Sequence, residues 1–395
     1  MEASVALEGS APSRFRWAVL AAGTFAQTGY ASLMFGLAVL APALRSRYDL
    51  SLTEVGTLLA APTLGSIATL YAWGRAADRY GERAVLAVGL GSASLCLAWA
   101  AFASSFGALL VLIALAGALG ASVNSASGRA VMHWFEPEGR GLALGLRQTA
   151  VPIAGAWVAL VLPTLATGND PRPALLALAA VCAAGAIVGL IVLREGPESE
   201  GGSVASVGRD PVRDPRIWLV SGGGALILEP QVCLVGFLVL FLHEERGLST
   251  AAAAAVLAVL NVLAIGTRIG AGWWSDRVGS RLGPLRRIAV TSAALVALCT
   301  LVLEAPLAFL VPALVLMGCV TISWNGLAFA AAAEAAGQSR SGTALGIQQT
   351  ALAISGAALP VAFGALVAAS TWRAGFAVSV LFPLVGWRLL RGVPG

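Results

Sequence analysis

Apolar and polar positions alternate along this chain on the scale of whole helices. Runs of about 20 apolar residues, each long enough to cross a hydrocarbon core of roughly 30 Å, are separated by short polar breaks. Reading runs and breaks together predicts twelve helices. Six lie at 15–44, 54–74, 84–104, 107–135, 140–166 and 174–193, and six at 216–242, 250–274, 286–304, 306–333, 342–369 and 372–391. Between the sixth and seventh, REGPESEGGSVASVGRDPVRDPR (194–216) places nine charges among Gly, Pro and Ser, a composition that reads as a flexible, solvated linker. The expected organisation is a six-helix bundle over 1–193, a linker over 194–215 and a second six-helix bundle over 216–395.

Composition supports lipid as the solvent. Hydrophobic residues make up 58% of the chain and charged residues 11%, against roughly 25% charged in a soluble domain. The opening MEASVALEGSAPSRFRW has no short apolar core before a small-residue cleavage site, so the first run is expected to remain as a span. All 25 basic residues are arginine. Placing both termini, the linker and alternate loops on one side puts 17 arginines there, five on the other side, and three (Arg129, Arg147, Arg268) within spans. The rich side is then cytoplasmic.

Several function classes fall away. The net charge of +5 comes with no basic-aromatic stretch of the kind that binds nucleic acid. There is no phosphate-binding glycine loop with its lysine, which argues against ATP-driven transport. Cys96, Cys182, Cys233, Cys299 and Cys319 sit unpaired in apolar runs and read as small core hydrophobes. His133 and His243 have no metal-ligand company. The expectation is a protein that is not an enzyme and holds no cofactor or metal.

The chain repeats itself. RGLALGLRQTAVPIAGA (140–156) and SGTALGIQQTALAISGA (341–357) agree at 10 of 17 positions at an offset of 201. Asn124 and Asn325 are 201 apart as well. The pattern G-x-x-x-D-R-x-G-x-R occurs as Gly74, Asp78, Arg79, Gly81 and Arg83, and again as Gly272, Asp276, Arg277, Gly279 and Arg281. Two related halves of the same topology suit a transporter that rocks about a midplane site.

On the twelve runs, the central linker and the doubled motif, the whole chain resembles the major facilitator superfamily. The resemblance implies an all-α integral membrane fold of two pseudosymmetric six-helix bundles. It also implies a monomeric secondary transporter of the cytoplasmic (inner) membrane working by alternating access. In that family the motif carboxylate latches the cytoplasmic side. Carried over, Asp78 meets the start of the eleventh helix near Gly342, and Asp276 the start of the fifth near Gly141. The plainer alternative is that these charges only mark cytoplasmic turns.

Charged residues inside a membrane mark functional positions. Arg268 lies upstream of the second motif, where small-organic-anion carriers of the monocarboxylate type look similar; it either binds a substrate carboxylate or forms a structural ion pair. Arg147 needs a cavity, an acid or a substrate, or else snorkels to the surface. Gly141/Gly145 and Gly342/Gly346 allow close helix approach, and Gln148 on that glycine face is expected to bond between helices. Glu229, followed by a Pro230 that should break or kink its helix, is a candidate proton site with Arg268 or Arg147 as its resting partner. Alternatively it is a plain ion pair, or exposed at the kink. Arg129 is expected to contact the neighbouring charged loop, at Glu136. Gln27, Tyr30, Asn124, Trp324, Asn325, Gln348 and Gln349 complete the candidate cavity lining. The expected activity is proton-coupled transport of a small organic anion. The alternative is proton-driven efflux of a drug or metabolite, which the faint likeness of AVPIAGA to a drug/proton antiporter motif suggests.

Overall fold

The computed structural model describes residues 14–166, 170–194 and 210–394. Each predicted run falls on a membrane-length span, and the described residues hold twelve candidate spans. Eight spans are single helices: α1 (Phe15–Tyr48), α2 (Leu52–Tyr80), α3 (Glu82–Ala100), α8 (Arg172–Val192), α9 (Pro215–Glu244), α10 (Thr250–Val278), α11 (Leu282–Leu301) and α14 (Ser341–Ala369). The other four are each broken in two. The fourth span is α4 (Phe106–Gly120) with α5 (Ser122–Trp134), and the fifth is α6 (Pro137–Arg147) with α7 (Ala150–Leu165). The tenth is α12 (Leu307–Ile322) with α13 (Asn325–Ala336), and the twelfth is α15 (Trp372–Ser379) with α16 (Leu381–Arg391).

Two of the breaks coincide with a hydroxyl that competes for the backbone. Thr149 and Ser323 turn their hydroxyls back onto the carbonyls of Leu146 and Val320, three residues upstream, offering the backbone an alternative to its helical bonds. Proline does less than expected, since α9 runs uninterrupted through Pro230. Part of the linker is structured too. Pro211–Arg213 form a 3-10 turn, and the buried Asp214 accepts from the backbone N–H of Arg216 at 2.9 Å, capping α9. Residues 195–209 of the linker lie outside the described residues.

Within the first half α3 packs on α8, α2 on α4, and α1 on both α7 and α8; within the second α9 packs on α14 and α16, and α10 on α12. Two seams join the halves: α2 against α14 and α6 against α10. Glycine makes both seams. A Cβ at Gly74 would lie 2.4 Å from the Gly342 carbonyl oxygen, and one at Gly272 would lie 2.3 Å from that of Gly141, so these crossings bring backbone onto backbone.

Burial along the seam helices is lopsided. In α14, Ser341 through Gln348 are all buried, whereas beyond them only Leu352 and Phe363 are. The hydrogen bonds that join the halves lie on the linker side or at mid-span: Asp78 to Gly342 and Thr343, Asp276 to Gly141 and Leu142, Arg268 to Gln148, and Gln349 to Asn124. The molecule is closed at the linker face and parted at the opposite one.

Candidate functional site

Arg147 and Arg268 each lie ten residues from the linker-side end of their span (Pro137 to Arg147, Arg268 to Val278). At 1.5 Å per residue that is roughly 15 Å, the middle of the hydrocarbon core. Arg147 is 2% exposed. Its Nε donates to the Ser127 hydroxyl at 2.8 Å, and its Nη2 to the Gln27 side-chain oxygen and the Asn124 carbonyl, both at 3.0 Å. Asn124 Oδ1 accepts from Gln27 Nε2 at 3.1 Å and, across the seam, from Gln349 Nε2 at 2.8 Å. One polar network therefore ties the first, fourth, fifth and eleventh spans together.

Arg268 is 5% exposed. Its Nη1 donates to the Gln148 carbonyl at 2.7 Å and its Nε to the Ile322 carbonyl at 3.3 Å. These carbonyls belong to the helix breaks of the fifth and tenth spans, one in each half. The end of a helix carries about half a negative charge on its unpaired carbonyls, so the guanidinium sits on two partial anions. Among the described residues neither arginine has a carboxylate within ion-pair distance.

The other candidates divide. Gln27, Asn124 and Gln349 join Arg147 as described. Tyr30 is buried in the core of the first half, where a Cβ at Gly120 would meet its ring at 2.7 Å. Trp324 is fully buried, its indole N–H donating to Gln231 Oε1 at 3.2 Å. Gln348, the counterpart of Arg147, is also fully buried, and neither amide atom has a partner. Asn325 is buried with its Oδ1 unpaired. Gln148 bonds between helices through its backbone carbonyl. Glu229 pairs with neither arginine among the described residues: Ser379 Oγ is 2.7 Å from its Oε1, and the Cys233 thiol is its other neighbour.

The motif residues gather at the linker face. Asp78 accepts from the backbone N–H of Gly342 at 2.9 Å and of Thr343 at 2.7 Å, and from the Thr343 hydroxyl. Asp276 accepts from Gly141 at 3.0 Å and Leu142 at 2.8 Å. Each carboxylate thus faces the N-terminal N–H groups of a helix in the other half, as helix polarity favours. Gly81 and Gly279 take φ of 80° and 66° in the turns that follow, open to glycine at little cost. Arg83 donates to the Leu190 carbonyl at 2.7 Å. Arg79 lies over Tyr80, and Arg277 lies 4.2 Å from the centre of the Trp273 ring. Arg281 bonds Asp276, Glu334 and the Pro137 carbonyl.

Arg129 pairs with Asp78 at 3.3 Å and with Glu82, in place of the expected Glu136. Glu82 stands inside the first motif copy, between Gly81 and Arg83, and that position was its available signal. Ser127, Ser379 and Glu334 had none: each acts on a residue brought close only by the fold.

Twelve membrane spans, a doubled half and two carboxylate-to-helix contacts across a closed face define a polytopic membrane transporter. A family model, Major Facilitator Superfamily, matches residues 21–360, and the chain belongs to that family. An uncharacterized MFS-type transporter of Mycobacterium tuberculosis (strain CDC 1551 / Oshkosh) is 34% identical over 374 residues, covering 93% of this chain and 83% of the relative. A probable sulfoacetate transporter of Cupriavidus necator is 25% identical over 366 residues, covering 84% and 82%. Among solved structures, a proton:xylose symporter superposes with a TM-score of 0.77 at 15% identity over 97% of each chain. A superfamily transporter in the outward conformation gives 0.76 at 15% identity, over 97% of this chain and all of that one.

Proposed function

We propose that the chain moves a small organic anion, monocarboxylate-like in size and charge, across the inner membrane together with a proton. The observation that carries the reading is the pair of mid-membrane guanidiniums without a carboxylate. A buried charge is costly unless it is paired, and backbone carbonyls and amides offset only part of that cost. An anion entering from the parted face would supply the missing countercharge. Relatives point the same way by name, including the probable sulfoacetate transporter and a hexuronate transporter of Bacillus subtilis that is 28% identical over 120 residues.

With the linker face taken as cytoplasmic, the described state faces outward. The carboxylates of Asp78 and Asp276 then act as the cytoplasmic latch. Glu229, buried beside Ser379, is the proton site. It sits apart from the anion site, so coupling would run through α9 rather than through direct contact.

The test is uptake of a panel of labelled small carboxylates and sulfonates into proteoliposomes. Arg147→Gln and Arg268→Gln should each lower uptake roughly tenfold or more, the loss expected for one charge-assisted contact, with thermal unfolding confirming the fold. Arg388→Gln, exposed at the linker face, should be neutral. Unchanged uptake in both mid-membrane variants would overturn the assignment. Extrusion of a cationic dye without anion uptake would point to drug efflux instead.

A further inference from the structure

A cavity of about 350 Å³ lies at the linker face beside the Asp78 contact. Arg75 and Arg79 of α2 form one wall, Arg340 at the start of α14 forms the other, and Asp210 of the linker closes the end. The two halves of the protein therefore each contribute a wall.

Its carboxylates are already engaged. Asp78 is taken up by Gly342, Thr343 and Arg129, and Asp210 Oδ1 accepts from the backbone N–H of Val212 at 3.2 Å. Arg75 and Arg79 are exposed; Arg75 touches the Tyr71 hydroxyl at 3.4 Å and feels the charge of Asp210, and Arg79 lies over the Tyr80 ring. Among the described residues neither makes an ion pair.

We propose that this cavity binds a phosphate group. A phosphate group, tetrahedral and with charge spread over its non-bridging oxygens, can meet guanidiniums arriving from two walls at once. Two sources share this chemistry: free phosphate, and the headgroup of an anionic lipid in the adjoining leaflet. Because α2 and α14 must part when the linker face opens, the cavity exists only in the closed form. Its ligand therefore stabilises that form by linkage.

The full chain in phosphatidylcholine nanodiscs is titrated with inorganic phosphate at fixed ionic strength, and in a second arm phosphatidylglycerol replaces part of the lipid. Phosphate affinity is read by calorimetry. Closure is read from the distance between spin labels at Ala84→Cys and Val278→Cys, both exposed at the linker face. The expected result is a narrower, shorter distance distribution in at least one arm. A response to phosphate alone assigns a soluble ligand; a response to phosphatidylglycerol alone assigns the lipid. Arg75→Gln/Arg79→Gln and, separately, Arg340→Gln should weaken the response roughly tenfold or more, and Arg388→Gln should leave it intact. Asp276→Asn, remote from the cavity but loosening the other seam, should also weaken it. No response in either arm, or the same response in every variant, would overturn the proposal.

Discussion

At the residue scale, the buried charges are held by very different partners. Arg147 and Arg268 rest on neutral oxygens, and Glu229 on one serine hydroxyl. Glu229→Gln has the same shape and can keep the Ser379 contact, so the fold should survive. If Glu229 is the proton site, this variant loses accumulation driven by a pH gradient while retaining solute exchange at equal pH; parallel flux assays separate the two. Loss of both would instead mark Glu229 as structural. That Arg147 and Arg268 would be charges inside membrane spans was legible in the sequence, because an arginine in an apolar run stands out. Their partners were not. Gln27 and Ser127 lie 120 and 20 residues from Arg147, and neither residue type announces which guanidinium it will meet. Glu229 shows the converse: a conspicuous Pro230 suggested a break that packing overrode, and the true partner came from the last span.

At the scale of elements, the twelve spans were readable because lipid demands long apolar runs, and the Asp78 and Asp276 contacts because a tight glycine turn with a fixed aspartate is a local pattern. The four helix breaks were hidden: in the fifth and tenth spans they fall at Thr149 and Ser323 rather than at glycine or proline. The seams give two predictions. Gly74→Leu and Gly272→Leu each force a side chain into opposing backbone, so helix separation must increase and the linker-face label distance should lengthen. Asp78→Asn keeps the size but weakens the contacts to Gly342, Thr343 and Arg129; charge-assisted bonds contribute about 1.5–3 kcal/mol each. Cross-linking between cysteines placed at Arg79 and Ser339, on facing walls, should fall in that variant. Unchanged cross-linking would mean that Asp78 contributes little to closure.

At the scale of the whole molecule, burial concentrated at one end of α14 implies that its other end borders an open space. Ala357 lies on the continuation of the Gly342/Gly346 face and is exposed. A cysteine there should react with a membrane-impermeant maleimide from the side opposite the linker, and more slowly once solute binds. The five native cysteines are all buried and should contribute little background. Arg268 adds one more consequence. Its guanidinium grips the Gln148 carbonyl of the other half, and Gln349 grips Asn124 across the same divide, so both bonds must be given up before the linker face can open. On the proposed reading, an incoming anion would replace the oxygen that Arg268 loses, and an empty carrier would have no replacement. Under the proposed function the unloaded protein would therefore stay closed at its linker face, and idle cycling would be held back by the same side chain proposed to receive the anion.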